Sequence, residues 1–390
     1  MGDGMNLTNI PVGSLGIIAM SGCEEISEKI NRYLVEWRSD RHISAYNEAE
    51  TDDYKKTDYR IEAHCPRFGT GEAKGLISQS VRGTDLFIIV DVFNHGITYK
   101  MYGQNVPMSP DDHYQDLKRI ISAAGGKTRR ISVIMPMLYE GRQHKRAARE
   151  SLDCALCLQE LMNMGVSNII TFDAHDSRVQ NAVPLEGFEN VQPTYQFLKA
   201  LKKNISDVVI DKDHLMIISP DEGSMNRCMY YSSVLGVNLG MFYKRRDYAR
   251  IVNGRNPIVA HEFLGESVEG KDLIVVDDMI SSGDSVLDIA EKLKAKGAAR
   301  IFIATTFGLF CEGLDKFDEA YKNGSISKVF TTNLVYRTPE LKQREWYVEV
   351  DMSKYIAYII DNLNHDMSIS DLLNPVQRIN KLLGKAQDQN

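Results

Sequence analysis

Residues 272–285, DLIVVDDMISSGDS, constrain the chain most, because they set two adjacent carboxylates and a hydroxyl-rich loop behind an apolar run. Residues 273–276 form a short β-branched run fit for a buried parallel strand, and residues 286–297 repeat apolar side chains at helical spacing through Leu287, Ile289, Ala290 and Leu293. The reading is a strand–loop–helix unit. In such a unit the loop lies at the carboxyl end of the strand, and the backbone N–H groups that open the helix favour a phosphate. Ser281, Ser282 and Ser285 add hydroxyl donors around Gly283. Asp277 and Asp278 then accept hydrogen bonds from vicinal sugar hydroxyls or hold a divalent cation through oxygen. An ordinary helix cap needs one carboxylate, whereas this loop supplies two and three serines.

Around this unit, strand-like runs at 15–20, 86–91, 131–135, 169–172, 215–218, 273–276 and 301–305 alternate with helical stretches at 24–37, 114–124, 146–164, 192–203 and 286–296. That alternation predicts an α/β protein of two similar doubly wound domains with parallel-sheet cores. With 390 residues and 43% apolar content the chain is long enough to bury two cores. The expected domains are residues 1–195 and 196–345, with a C-terminal helix over 354–390 packed on the first. Residues 39–63 and 93–112 read as loops or small hairpins inserted between core elements.

Several function classes are set aside by composition. A net charge of −7 gives no electrostatic footprint for nucleic acid. No apolar run reaches membrane-spanning length and no basic-then-apolar leader opens the chain, so no membrane association and a cytoplasmic location are expected. Six cysteines are too few and too scattered for a disulfide framework, and Cys154 and Cys157 sit in an amphipathic helical pattern that reads as buried core thiols. Gly125, Gly126, Lys127 and Thr128 imitate the end of a Walker A loop, but Ile121 stands where its first Gly must be. No P-loop is expected.

Five further segments carry chemistry. Residues 217–227, IISPDEGSMNR, end an apolar strand in an acidic turn containing Asp221, with Glu222 and Arg227 nearby. Residues 241–250, MFYKRRDYAR, place a basic cluster with Lys244 and Arg246 directly after an apolar stretch; positioned cations of this kind stabilise charge on transferring phosphoryl oxygens. Residues 169–180, IITFDAHDSRVQ, end a strand in Asp173 and His175. Residues 139–145, YEGRQHK, carry Arg142 and Gln143, and Arg offers a fork for phosphate oxygens and a flat face for a base. Residues 67–81, RFGTGEAKGLISQSV, contain Phe68 and Glu72 ahead of the apolar run at 86–91.

In this order the segments resemble the ribose-phosphate diphosphokinases, or 5-phosphoribosyl-1-pyrophosphate (PRPP) synthetases. Residues 276–285 alone look like the PRPP-binding motif shared with type I phosphoribosyltransferases; the other segments carry the distinction. The resemblance implies a type I phosphoribosyltransferase-like fold and transfer of the β,γ-diphosphoryl group of ATP to O1 of ribose 5-phosphate, with Mg²⁺ as cofactor. It implies that Asp277 and Asp278 orient the ribose, that Ser281, Ser282, Gly283 and Ser285 hold its 5′-phosphate, and that Asp221 helps place ribose and metal. It implies that Lys244 and Arg246 stabilise the transferring group at the mouth of a mobile loop, that Arg142, Gln143 and His175 bind ATP, and that Asp173 and His175 lie beside its phosphates and Mg²⁺. Phe68 and Glu72 match a flag-like hairpin that embraces adenine from a neighbouring subunit, which implies a homo-oligomer with shared sites.

The chain also departs from the family pattern. Ser281 stands where a third Asp is usual, and Asp284 where Gly is usual. A carboxylate facing the 5′-phosphate would repel it, so either Asp284 points outward or the pocket has changed. No second metal-side carboxylate follows Gln180, which leaves Glu186 or Glu189 to replace it. Two alternatives share part of the pattern: a phosphoribosyltransferase consuming PRPP, and a catalytically weak regulatory paralogue.

Overall fold

The structure, a computed structural model, describes residues 10–42, 52–246 and 258–384. The chain divides into two compact units: the first takes residues up to 192 with 333–336 and 351–374, and the second takes 193–332, 337–350 and 375 onward.

In the first unit the strands are β1 (Ser14–Ala19), β2 (Ala63–His64), β3 (Leu76–Ile77), β4 (Thr84–Ile89), β5 (Thr98–Met101), β6 (Gln104–Pro107), β7 (Arg130–Ile134), β8 (Asn168–Phe172) and β9 (Gly187–Val191). Five of them form a parallel sheet in the order β1-β4-β7-β8-β9, while β2 with β3 and β5 with β6 are antiparallel hairpins. One face of the sheet, through Ile18, Leu86, Ile88, Val133 and Ile169, packs on helices Pro110–Ala124 and Asp153–Asn163. On the opposite face Ile17, Phe87, Ile89, Ile134 and Ile170 are equally buried. Burial on both faces is why these strands read as continuous apolar runs rather than alternating ones.

The second unit carries β10 (Leu215–Ser219), β11 (Asn238–Arg246), β12 (Ile258–Leu264), β13 (Asp272–Ile280), β14 (Ile301–Gly308), β15 (Lys328–Thr332) and β16 (Tyr347–Val350). Their order is β12-β11-β10-β13-β14-β15-β16, parallel throughout except for the antiparallel edge strand β12. Met216, Ile218, Leu273, Val275 and Ile303 pack with Ile289, Leu293 and Trp346 in its core. From β10 the chain winds outward to β11 and then returns to the other side of β10 at β13. That reversal creates a crevice at the carboxyl ends of β10 and β13, the place where open α/β sheets bind ligands.

The α/β class and the two parallel-sheet units match the reading of the sequence, and the order reverses in the first unit as well: residues 59–61 bridge Ile17 in parallel, with the Ile17 N–H donating to the Tyr59 carbonyl at 2.9 Å and the Ile61 N–H to the Ile17 carbonyl at 2.7 Å, before the chain returns to pair β4 with β1. The C-terminal region differs from the single helix expected over 354–390. It forms helices Ser353–Asn364, Ser370–Leu373 and Val376–Leu383, and the last belongs to the second unit. Pro375 separates them because proline cannot donate the hydrogen bond that would continue a helix. Arg378 lies over the Tyr195 ring at 5.4 Å, and Lys202 Nζ donates to the Leu382 carbonyl at 2.7 Å. Of the two expected insertions, 93–112 contains the β5–β6 hairpin, and the part of 39–63 from 43 to 51 lies outside the described residues.

Two sequence features resolve simply. Gly125 and Gly126 follow a helix and precede β7, the reverse of the strand-to-helix context a P-loop requires. Cys154 and Cys157 are buried on helix Asp153–Asn163, where burial pushes their thiols up to about 11 and about 12. No helix among the described residues is long and apolar enough to cross a membrane.

Candidate functional site

The second unit gathers its polar side chains where β10 and β13 part. Pairing between these strands ends at Ile218 with Val275, yet β13 continues beside β14 as far as Ile280 with Gly308. Asp277 and Asp278 therefore lie within a strand, not in the loop expected after Val276. The turn after β10 fills the opened side. Asp221 Oδ1 accepts the N–H groups of Gly223 at 2.9 Å and Ser224 at 3.2 Å, which starts helix Met225–Leu235. The Ser224 hydroxyl then donates to Asp277 Oδ1 at 2.5 Å, and Arg227 Nη1 lies 3.9 Å from the same oxygen. Asp277 also accepts the Asp278 N–H at 2.9 Å.

This is a desolvated acidic centre. Asp278 is 4% exposed, and the Asp277 side chain keeps 25% of its surface. Burial first and the Asp278 charge second push the Asp277 carboxyl up to about 7, while the Ser224 hydroxyl and Arg227 pull the other way. Neither Ser224 nor this pairing is legible from the motif alone. The only signal was a Ser following Asp-Glu-Gly ahead of a helical stretch.

Beyond β13 the loop turns at Gly283, with φ +93°, into helix Asp284–Ala295. A Cβ at Gly283 would fall 2.4 Å from Phe317 Cε2, so the turn is closed to other residues. The N-cap Gly283 offers no capping side chain, and the Asp284 N–H donates to the Ser282 hydroxyl of the loop at 3.4 Å, so the helix start faces the loop. Ser281 and Ser282 are partly exposed and Ser285 is exposed at the same end. Asp284 is exposed: its Oδ1 accepts from Lys316 Nζ at 2.6 Å, and its Oδ2 accepts the Ser282 hydroxyl at 3.1 Å.

Lys244 and Arg246 lie on β11, opposite His261 and Ile258 of β12, with the register shifting between Arg245 and Arg246. Their side chains, and residues 247–257, lie outside the described residues.

In the first unit the loops after β7 and β8 meet. Asp173 follows β8 with φ +42° and is 3% exposed; its N–H donates to the Val191 carbonyl at 2.9 Å. His175 is exposed, with its ring 5.4 Å from that of His144, and His144 Nε2 lies 3.3 Å from Asp176 Oδ2. Arg178 holds the Asp176 carboxyl well below the usual carboxylate range, while burial pushes the His144 imidazole down against the pull of Asp176. Arg142, two positions before His144, is exposed, and Gln143 Nε2 donates to the Ser151 carbonyl at 2.8 Å, which shapes its own loop. His144 and Asp176 were not singled out by the sequence reading, although they flank the residues that were. Glu189 pairs with Ile170 inside β9, and Asn190, not a carboxylate, accepts the Ala174 N–H.

Phe68 and Glu72 belong to a separate element, the hairpin that includes β2 and β3. At its turn the Phe68 N–H donates to the Glu72 carbonyl at 2.7 Å, and the Thr70 hydroxyl donates to the Glu72 carboxylate at 2.8 Å. Phe68 is 55% exposed. The β5–β6 hairpin braces this turn, since the Tyr102 N–H donates to the Gly69 carbonyl at 2.9 Å and Arg67 lies 4.6 Å over the Tyr99 ring. Among the described residues no three His, Cys, Asp or Glu side chains converge to hold a metal by protein ligands alone.

The second unit thus sets an acidic pair and a helix start at the strand-order reversal of a parallel sheet, and comparison with known proteins reaches both units. The family model described as the N-terminal domain of ribose phosphate pyrophosphokinase matches residues 15–165, and that of the phosphoribosyl transferase domain matches residues 187–336. The chain belongs to the ribose-phosphate pyrophosphokinase (PRPP synthetase) family. The ribose-phosphate pyrophosphokinase of Vibrio cholerae is 27% identical over 319 residues, 80% of this chain and 91% of that protein. That of Shewanella oneidensis is 28% identical over 314 residues, 79% of this chain and 90% of its own. The crystal structure of phosphoribosylpyrophosphate synthetase from Mycobacterium smegmatis shares the fold, with a TM-score of 0.72 at 19% identity over 90% of this chain and 99% of that one.

Proposed function

We propose that the protein is a ribose-phosphate diphosphokinase: O1 of ribose 5-phosphate attacks the β-phosphorus of ATP in line, the bond from that phosphorus to the AMP oxygen breaks, and PRPP and AMP form. The observation that carries the reading is the acidic centre of Asp277 and Asp278 at the β10–β13 crevice, followed directly by the Gly283 turn and an uncapped helix. Two carboxylates that repel each other out of water favour a ligand with several hydroxyl donors, or a cation, over an empty site. An uncapped helix start supplies N–H groups for a phosphate one loop away.

In this reading Asp277 and Asp278 hold the ribose hydroxyls, and Ser281, Ser282, Gly283 and Ser285 hold the 5′-phosphate. Asp221 helps place the ribose. Arg142, Gln143 and His175 bind the triphosphate of ATP, and Lys244 and Arg246 stabilise negative charge on the transferring diphosphoryl group, where one lost contact typically costs about 3 kcal/mol. In the first unit Asp173, with His175 through metal-bound water, would offer oxygen to Mg²⁺, and in the second unit Asp221 would do the same; buried or backbone-anchored carboxylates suit a hard cation that takes only one or two protein oxygens and completes its shell with water and phosphate. Bound Mg²⁺ supplies charge neutralisation on the phosphate oxygens. Phe68 and Glu72 receive adenine from a neighbouring subunit, so the enzyme acts as a homo-oligomer, in the cytoplasm, for nucleotide synthesis.

One observation favours a second reading. Ser281 takes the place of a usual third carboxylate, and a chain that binds both substrates without turning them over would regulate an active partner. Incubating the purified protein with ATP, ribose 5-phosphate and Mg²⁺ separates the two: the proposed enzyme yields AMP and PRPP in equal amounts. Binding of ribose 5-phosphate with no AMP produced would select the regulatory reading.

A further inference from the structure

We infer that Lys316, from the segment after β14, is a phosphate-binding residue of the sugar-phosphate site and exchanges its partner Asp284 for the 5′-phosphate when ligand binds. This rests on the proposed ribose 5-phosphate site. Four observations lead to it.

The segment that carries Lys316 is fastened to the phosphate loop. The Leu309 N–H donates to the Ile280 carbonyl and the Cys311 N–H to the Ser281 carbonyl, each at 2.9 Å. The next residue along, Phe317, is fully buried, and its ring occupies the space where a Cβ of Gly283 would sit. Lys316 is therefore held beside the turn that binds phosphate in this reading, and its length is not what brings it there.

Asp284 meanwhile imitates an anion at the start of helix Asp284–Ala295. Its carboxylate takes one hydroxyl donor from the phosphate loop, Ser282, and one ammonium donor, Lys316 Nζ at 2.6 Å. A phosphate approaching the same helix start needs donors of these two kinds. Lys316 also donates to Glu312 at 2.7 Å, and its side chain keeps 49% of its surface, so it pairs with solvent-facing carboxylates and is free to pivot on its four-carbon stem. An exposed pair of this kind contributes little to stability, which leaves charge management at the phosphate loop as its main consequence.

Two roles have to be separated: contact with phosphate, and mere neutralisation of Asp284. The experiment measures ribose 5-phosphate affinity of the full chain by calorimetry at low salt for the wild type, Lys316→Ala, Lys316→Arg, Asp284→Gly and the double variant, with melting curves confirming that each is folded. Lys316→Ala is expected to weaken binding about tenfold and Lys316→Arg to restore most of it. The deciding arm is the Asp284→Gly background: removing Lys316 there still weakens binding if Lys316 touches the phosphate. If the double variant binds as Asp284→Gly does, Lys316 only screens Asp284 and the inference is overturned while the site stands. If neither the wild type nor Asp284→Gly binds ribose 5-phosphate, the site reading falls and takes the inference with it.

Discussion

At Asp277, burial and the neighbouring Asp278 carboxylate hold the proton to about pH 7 in the folded chain, whereas the unfolded chain releases it near pH 4. The folded state then binds the extra proton between these values. Its stability therefore falls as pH rises through that window and stays reduced above it. Asp277→Asn removes the penalty, and the variant is expected to exceed the wild type in stability above about pH 7, with the gain shrinking toward about pH 4. In the proposed reaction its diphosphoryl transfer is expected to drop by at least about 100-fold, because in that reading the ribose loses a carboxylate acceptor. Urea unfolding of both proteins across that range is the check, and a gain independent of pH would contradict the account. The residues that build this environment show what the sequence hides. Asp277 and Asp278 stand out because they are adjacent, but Ser224 is 53 positions away and is brought to Asp277 only by the turn after β10. His144, against Asp176, and Lys316, against Asp284, are likewise long-range pairs with no local signature.

The β13 unit was the most legible element, because strand, turn and helix each carry their own pattern within 24 residues, Asp272 to Ala295. Even so, the strand runs four residues past its apolar run, since pairing with β14 and not hydrophobicity sets its end. The strand runs read from the sequence do not include β9, β11, β12, β15 or β16. Of these, β9, β12 and β16 are edge strands, which have one neighbour and weaker patterning, so that their identity depends on the sheet beside them. Within the β13 unit the turn at Gly283 is the point of least tolerance. It combines a left-handed φ of +93° with Phe317 at 2.4 Å from any Cβ, whereas Gly126 has φ +70° with nothing within 4 Å. Gly283→Ala is expected to destabilise by about 3 kcal/mol or more and Gly126→Ala by about 1 kcal/mol, since the first adds overlap to backbone strain. Equal costs in denaturant titrations would show that the Phe317 contact does not shape the turn.

Across the whole chain, the two parallel sheets follow from the alternation of apolar strands and amphipathic helices, but the division into units does not follow chain order. Helix Ser353–Asn364 belongs to the first unit because fully buried Arg38 donates to Asp361 and Asn364, with Asp53 completing its partners at 2.9 Å. A buried arginine needs such partners, and nothing in a linear pattern announces which distant carboxylate will provide them. Family membership is secure at this scale, while the reaction itself rests on the chemistry of the β10–β13 crevice. The most direct test gives the purified protein ATP carrying radioactive phosphorus in the β position, ribose 5-phosphate and Mg²⁺, then separates the products. The account predicts that the label moves to PRPP in step with AMP release. Label that stays in ATP while ribose 5-phosphate is bound, or that emerges as free phosphate or diphosphate, would contradict it.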